Sequence, residues 1–175
     1  NPAERTYFPV PDNDEPLIAV AKDKEQNIPI IYLFHKHEAV KPEEKGNMDY
    51  MVYSYLTSMI ESMLNTRLEE LTQKADAPFI QAFAGDGDYL LSKTKGAFMG
   101  IAAAKEDGIL TATEALMREI ERVRQFGFTA SEYARAKADY LRSLEVAYNE
   151  RDKQRTNSYV KEYVRHFIDN EPIPG

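Results

Sequence analysis

The sequence of 175 residues contains no cysteine and only three histidines. Without cysteine the chain has no disulfide bond, no thiol nucleophile and no thiolate metal ligand, although this absence does not decide its compartment. No apolar run is long enough to cross a bilayer, and no signal peptide is recognisable. The inventory for metal or nucleophilic chemistry is therefore small, and we predict no membrane span.

A strongly basic surface is missing as well. The net charge is −7, and the lysines and arginines are scattered along the chain. Binding to nucleic acid needs a basic face that neutralises phosphates, so we expect no nucleic-acid partner. Hydrophobic residues make up 43% and charged residues 29% of the chain, which are ordinary values for a globular protein with one core.

The two ends of the chain have the composition of connecting segments. Residues 1–16 are rich in proline and acidic side chains, which favours an extended linker to something upstream. The prolines near the C terminus indicate a second linker stub at residues 171–175. Because the sequence opens at Asn1 without a methionine, we interpret it as a piece of a longer polypeptide with a single domain over residues 17–170.

Four stretches rich in apolar and β-branched residues are predicted as strands: residues 17–22, 27–37, 79–91 and 97–107. The charged residues between the first two suggest a hairpin, and Pro29 predicts that the second strand begins at an edge or just after that proline. In the third stretch Gly85 and Gly87 indicate a bend or bulge.

The longest periodic stretch lies between Asn47 and Phe79. Apolar residues recur there at spacings of three and four, which predicts a helix over Asn47–Lys74 with one buried stripe. The stripe consists of Met48, Val52, Tyr55, Leu56, Met59, Ile60, Met63, Leu64, Leu68 and Leu71. Asn47 is the predicted N-cap, and Pro78 ends the helical pattern before the next strand.

Two capping boxes predict the starts of further helices, one at Thr111 and one at Thr129. A polar segment at residues 149–158 either interrupts the second of these helices or continues it, and a last amphipathic helix follows. Strands in pairs alternating with helices predict an α+β fold. We expect a two-layer α/β sandwich with a largely antiparallel sheet and helices on one face.

Histidine offers one candidate metal pair. His35 and His37 lie two residues apart at the end of a predicted strand, so both face one side of it, and Glu38 is adjacent. No third ligand is marked, and we favour exposed polar residues over a metal site. His166, in the last predicted helix, is expected to be packed or half-exposed. The run Gly85 to Asp88 resembles a fragment of a calcium loop but lacks the remaining ligands.

Four stretches have counterparts in a known family: AVAKDKEQNIPIIYLF, LNTRLEEL, APFIQAFA and GILTATEALMREIERVRQFGFTASEYARAKADYLRSLE. Together with the order of elements they resemble a non-catalytic domain of the pitrilysin, insulinase and mitochondrial processing peptidase family of zinc metalloproteases. The resemblance covers nearly the whole chain. Its most specific part is the turn between two helices, G-[FI]-[ST]-x-x-E in the family and Gly127 to Glu132 here.

The active domains of that family carry His-x-x-Glu-His on their first long helix, where the histidines bind zinc and the glutamate activates water. The corresponding stretch here, Asn47–Lys74, contains no histidine. A second family feature, an arginine and tyrosine pair that helps to hold substrate, is replaced here by Thr72 and Phe79. The resemblance therefore implies no catalytic residue and no metal ligand in this chain, with zinc expected in the catalytic domain of the parent protein.

The function implied by the resemblance is architectural. The chain would form part of the wall of a proteolytic chamber, next to peptide substrate, and pack against a catalytic domain of the same polypeptide or complex. A periplasmic or cytoplasmic location in a bacterium would follow. Two alternatives stay open: a scaffold module of a larger assembly without protease activity, and a small metal-dependent enzyme that uses His35 and His37.

Overall fold

A computed structural model of the chain describes residues 6–153, 155–169 and 173. In these residues three strands and four helices follow one another as β1 (Ile30–Glu38), α1 (Met48–Thr72), β2 (Gln81–Asp88), β3 (Lys95–Ala103), α2 (Ile109–Phe126), α3 (Ala130–Asn149) and α4 (Thr156–Asp169). Short 3-10 turns lie at Pro42–Glu44 and Arg151–Lys153. The predicted α+β class with an antiparallel sheet is confirmed.

The chain divides into two compact units. The first, called the sheet unit, comprises Asn1–Ala39 and Leu64–Gly127; the second, called the helical unit, comprises Val40–Met63 and Phe128–Gly175. The division falls inside α1. The predicted limits of one domain at residues 17–170 stay a prediction, and of its flanking linkers residues 1–5, 171–172 and 174–175 lie outside the described part.

The sheet has the strand order β1-β3-β2, with both pairs antiparallel. β1 begins immediately after Pro29, as that proline predicts. The strand predicted at residues 17–22 is wrong, because these residues form neither helix nor strand and pair with nothing in the described sheet. The predicted bulge is also wrong: Gly85 and Gly87 stay in register with Met99 and Ala97.

Helix α2 packs on one face of the sheet. At Gly100 of β3 an added Cβ would lie 3.3 Å from methyl carbons of Leu116 and Ile120, so the missing side chain lets the helix approach closely. Apolar residues that are fully buried at this core are Leu64, Leu68, Phe79, Ala84, Ala102, Ala104, Ala112 and Leu116. The small Ala84 and Ala102 on the strands and the larger leucines on the helices fill the space between the layers.

Helix α1 confirms its predicted start but only part of its predicted burial. The Asn47 side-chain oxygen accepts a hydrogen bond of 2.8 Å from the backbone N–H of Tyr50, which is the geometry of an N-cap. The helix ends at Thr72, two residues before the predicted end. Of its apolar stripe, Met59, Met63, Leu64 and Leu68 are buried, while Ile60 and the first residues of the stripe are exposed. Helical spacing sets which side chains share a face, and packing decides whether that face is covered.

The starts of the two following helices differ in their capping. Thr129 accepts from the backbone N–H of Glu132, and the Glu132 carboxylate accepts from the backbone N–H of Thr129, so the second capping box is confirmed. The box predicted at Thr111 is wrong, because α2 begins earlier, at Ile109, after Gly108. The hydroxyl of the next threonine, Thr113, instead donates to the carbonyl of Ile109 inside the first turn.

A small core holds the helical unit together. Met59, Met63 and Ala136 are buried, and the rings of Tyr55, Phe128 and Tyr140 pack against them. Tyr55 meets Tyr140 edge to face at 5.3 Å between ring centroids, a favoured aromatic geometry. The polar segment at residues 149–158 interrupts the helix: α3 ends at Asn149 and α4 begins at Thr156.

Candidate functional site

The two candidate metal ligands of the sequence lie together on one face of β1. His35 is opposite Phe98 and His37 is opposite Gly96 on the central strand. His35 is exposed, whereas His37 is half-buried. The ring of His37 reaches over the central strand, and its Nε2 lies 2.9 Å from Oδ2 of Asp86 on β2. This contact ties both edge strands of the sheet together.

Gly96 makes this crossing possible. A Cβ at Gly96 would lie 2.9 Å from Nδ1 of the His37 ring and closer still to Cε1, so any side chain there would displace the ring. Nδ1 is also 2.9 Å from the carbonyl oxygen of Glu38, which fixes the ring orientation from its other side. The sequence predicted the shared face of the histidines, but the role of Gly96 depends on strand register.

A lysine pairs with two carboxylates at the same end of the sheet. Lys95 is buried, and its Nζ donates to Glu38 on β1 and to Oδ2 of Asp12 at 3.0 Å. Hydrogen bonding to Glu38, and then to Asp12, raises the pKa of Lys95, although its burial opposes the shift. Burial of an ammonium group is tolerated because these two partners compensate its charge.

The same end of the sheet holds part of the predicted N-terminal linker. Thr94 Oγ1 accepts from the backbone N–H of Val10 at 3.3 Å and donates to the carbonyl of Phe8 at 3.2 Å. Lys36 donates to the carbonyl of Pro11. The segment Phe8 to Asp12 is thus irregular, as a linker composition favours, but it is bound to the sheet at defined positions.

The contacts of His37 and Lys95 hold the strands and the N-terminal segment together at one end of the sheet. Among the residues that the structure describes, no group of three or more His, Asp or Glu side chains could hold a metal ion. His166 lies on α4 and is exposed. Within the same described part, no helix is both long and apolar enough to cross a membrane.

Thr72 and Phe79, which the resemblance aligns with a substrate-holding pair, have ordinary structural positions. Thr72 ends α1, and its hydroxyl donates to the carbonyl of Glu69 at 2.7 Å. Phe79 precedes β2 and is fully buried in the sheet unit. Phe79 therefore acts as a core residue here, with no ring surface left for a ligand.

One polar residue that the sequence analysis did not identify, Asn65, binds the main chain of the edge strand β2. Asn65 on α1 donates from Nδ2 to the carbonyl of Ala84 at 2.7 Å and accepts from its backbone N–H at 2.8 Å. One amide side chain thus satisfies both outward main-chain groups of an edge-strand residue. Arg67, two residues later, is buried and donates to the carbonyl of Gly127 at 3.1 Å. Asn65 and Arg67 lie in LNTRLEEL, one of the stretches that carry the family resemblance. Apolar periodicity alone predicted neither of their hydrogen-bonding roles.

Comparison with known proteins finds similarity to zinc proteases in sequence and to the PqqL protease in fold. No family model matches the sequence. A zinc protease PQQL-like protein of Arabidopsis thaliana is 25% identical over 174 residues, which are 99% of this chain and 15% of that protein.

Two solved structures share the fold over 87% of this chain. The first half of the periplasmic protease PqqL from Escherichia coli matches with a TM-score of 0.75 and 21% identity, over 32% of its own chain. The structure of the periplasmic protease PqqL itself matches with a TM-score of 0.72 and 20% identity, over 16% of its chain. The chain is thus similar in sequence to part of a zinc protease PQQL-like protein and in fold to part of the PqqL structures, and it spans 15% of the length of that curated relative.

Proposed function

We propose that this chain is a non-catalytic domain of a zinc metalloprotease, where it forms part of the substrate chamber and packs against a separate catalytic domain. The observation that carries this proposal is the match of 99% of the chain to a small part of a zinc protease PQQL-like protein. Because the chain spans 15% of that relative, most of such a protein, including the zinc site, would lie outside it.

The long helix supports the non-catalytic role. In the active domains of the family whose non-catalytic domain this chain resembles, the first long helix supplies two histidines and a glutamate to the zinc site. Helix α1, Met48–Thr72, contains no histidine. Its buried positions hold methionine and leucine, with Arg67 bound to the Gly127 carbonyl, so this helix serves packing.

The exposed apolar side chains of the helical unit support packing against another domain. On α1 they include Met51, Leu56 and Ile60, and on α4 they include Tyr163 and Phe167. Large apolar patches on a soluble protein mark surfaces that are covered by another protein. A catalytic domain of the same polypeptide is the partner we propose for them. The solved relatives are periplasmic proteases, and we propose a periplasmic location for the parent of this chain.

The first test is made on the chain alone. The purified chain, supplied with zinc and then dialysed, is expected to retain less than roughly 0.1 zinc per molecule, because structural and catalytic sites need three or four ligands. It is also expected to leave an unstructured fluorogenic peptide uncut. The matched control is the variant His35→Ala with His37→Ala, which should behave identically. Stoichiometric zinc, or peptide turnover that the double variant abolishes, would establish the small metal enzyme instead.

The second test is made on the parent gene. Its reading frame upstream of this chain is expected to encode His-x-x-Glu-His in a helix, and replacing that glutamate with glutamine should remove peptide cleavage by the parent protein. The circular dichroism spectrum should not change. A parent protein without such a motif, and without bound zinc, would favour the scaffold module.

A further inference from the structure

The ring of His37 has an acceptor at each of its two nitrogens. Nε2 lies 2.9 Å from Oδ2 of Asp86, and Nδ1 lies 2.9 Å from the main-chain oxygen of Glu38. A carbonyl oxygen can only accept a hydrogen bond, and the same holds for an ionised carboxylate. Each ring nitrogen therefore needs a proton of its own if both contacts are hydrogen bonds.

Only the charged form of the ring can supply those two protons. A neutral imidazole has one N–H and one bare nitrogen with a lone pair, whereas an imidazolium has an N–H at each nitrogen. A bare nitrogen at 2.9 Å from a carbonyl oxygen would place two acceptors against each other, which is unfavourable. The observed position of the His37 ring thus fits its protonated form.

Two carboxylates of β2 lie on the same side of the sheet as the ring. Asp86 makes the direct contact, and its side chain is 19% exposed. Asp88 is opposite Gly96 in the ladder, as His37 is on the other edge strand, and its carboxylate lies 3.6 Å from Nζ of Lys93. A carboxylate at hydrogen-bonding distance stabilises a positively charged ring.

Other charged or titratable groups lie on the elements around the ring. These groups are the exposed His35 on β1, Lys95 on β3, Arg67 on α1, and on α2 Glu119, whose carboxylate lies 3.5 Å from Arg122. Lys95 donates to the carboxylate of Glu38, and Arg67 donates to the carbonyl of Gly127. Asp86 is the charged group that contacts the ring directly.

We propose that His37 is a pH-sensitive tie at the end of β1: its protonated ring bonds to Asp86 and Glu38 together, and loss of one proton releases Glu38. The remaining proton is expected on Nε2, because a hydrogen bond to a carboxylate is stronger than one to a neutral carbonyl. The released carbonyl belongs to the last residue of β1, whose carboxylate binds Lys95. Deprotonation thus loosens the strand end that shares Lys95 with Asp12 of the N-terminal segment.

The direction of the pH effect follows from the number of bound protons. If the folded chain holds the protonated ring more favourably, it takes up more protons than the unfolded chain, and stability falls as the pH rises. The stabilisation is present at pH 5.5 and lost by pH 8.5, an interval that spans the charge change of imidazole. Aspartate and glutamate side chains ordinarily titrate below this interval.

NMR of the ring nitrogens tests the protonation of His37 in the unaltered chain. At pH 5.5 both nitrogens should carry a proton, and these protons should exchange with water at least roughly 10-fold more slowly than those of the exposed His35. At pH 8.5 Nδ1 should have lost its proton. A bare ring nitrogen on His37 at pH 5.5, or exchange as fast as that of His35, would overturn the proposal.

Urea unfolding at pH 5.5 and pH 8.5 tests the energetic consequence. Over this interval the equilibrium constant of unfolding should rise roughly 3- to 10-fold more in the unaltered chain than in His37→Asn, whose side chain does not titrate. The matched control His35→Asn, on the same face of β1, should keep the full pH effect. Asp86→Asn should remove most of it, because the carboxylate that favours the charged ring is gone.

Two results of the unfolding experiment would contradict the tie. One is an equal pH dependence in the unaltered chain and in His37→Asn, and the other is a full pH effect in Asp86→Asn. The ring measurement needs no substitution, so it decides the proposal even if His37→Asn does not fold.

Discussion

The sheet unit and the helical unit use similar apolar periodicity with different results. In the sheet unit Leu64, Leu68, Phe79 and Leu116 are fully buried. In the helical unit the buried cluster is small, and large apolar side chains stay exposed on α1, α3 and α4: Met48, Met51, Val52, Leu56, Ile60, Leu141, Leu144, Val146, Tyr148, Tyr159, Val160, Tyr163, Val164, Phe167 and Ile168. A sheet offers a broad apolar surface that a helix covers, whereas helices that pack loosely leave their stripes open. The contrast lies in the cores: the sheet unit buries several large side chains completely, whereas the buried cluster of the helical unit consists of Met59, Met63 and Ala136.

The strongest test of this contrast replaces leucines of the same helix. Leu68→Ala removes a fully buried side chain from the sheet unit, and we expect a loss of roughly 2 to 5 kcal/mol in the free energy of unfolding. Leu56→Ala, at a position that is 52% exposed, should cost less than about 1 kcal/mol in the chain alone. Urea denaturation gives both values. Equal losses would show that the helical unit is as closely packed as the sheet unit.

The next test compares two glycines of the sheet unit. Gly96→Ala should displace the His37 ring from Asp86 and cost roughly 1 to 3 kcal/mol, because the new methyl group overlaps the ring. Gly87→Ala is the control, since nothing lies within 4 Å of a Cβ there, and it should change stability by less than about 1 kcal/mol. If the His37→Ala background does not remove most of the Gly96→Ala effect, the ring is not its cause.

A third test concerns the local hydrogen bonds of the helical unit. Thr129→Ala breaks the capping box of α3 and should cost about 0.5 to 2 kcal/mol, measured by thermal or urea unfolding. Thr111→Ala is the matched control, because Thr111 lies within the first turn of α2 and caps nothing. A similar loss in both variants would contradict the observed helix starts.

The smallest expected effect is a pH dependence on the exposed face of α2. Arg124 binds the Glu121 carboxylate with both a 2.7 Å and a 2.6 Å hydrogen bond, Gln125 adds another, and together they lower the pKa of Glu121 to about 2 from its ordinary 4.5. The stabilisation is fully present above pH 4.5 and is lost as the pH falls through 2. NMR titration of the Glu121 carboxyl should show this midpoint. In Arg124→Ala the midpoint should return toward 4.5, and a midpoint near 4.5 in the unaltered chain would contradict the pairing.

Much of the fold could be predicted because its signals are local. Pro29 predicted the start of β1, Asn47 the cap of α1, and Thr129 with Glu132 the start of α3. Each signal depends on one residue and its nearest neighbours along the chain. One local signal, the capping box at Thr111, was wrong because α2 begins at Ile109. The other wrong predictions depended on partners far away in sequence. Residues 17–22 have strand composition without a paired strand, and Gly85 stays in a regular ladder because β3 holds its register.

The candidate site was predictable only in outline. Spacing of two along a strand placed His35 and His37 on one face, and the structure confirms this. It could not reveal that Asp86 lies 2.9 Å from His37, because β2 and β3 had first to pair with β1 in one register. Asn65 gave no signal, since a polar residue within a helix reads as exposed until a strand edge is placed beside it.

The sequence by itself determined the α+β class, most of the helix and strand positions and the absence of histidine from α1, because propensity, capping and motif spacing act over short stretches of chain. The relationship to zinc proteases was also readable from its motifs, and the comparisons support it. Tertiary structure alone decided which apolar faces are covered, how His37 crosses the sheet, and that Phe79 is a core residue. Burial and strand register are properties of elements packed together, so they arise only when distant parts of the chain meet.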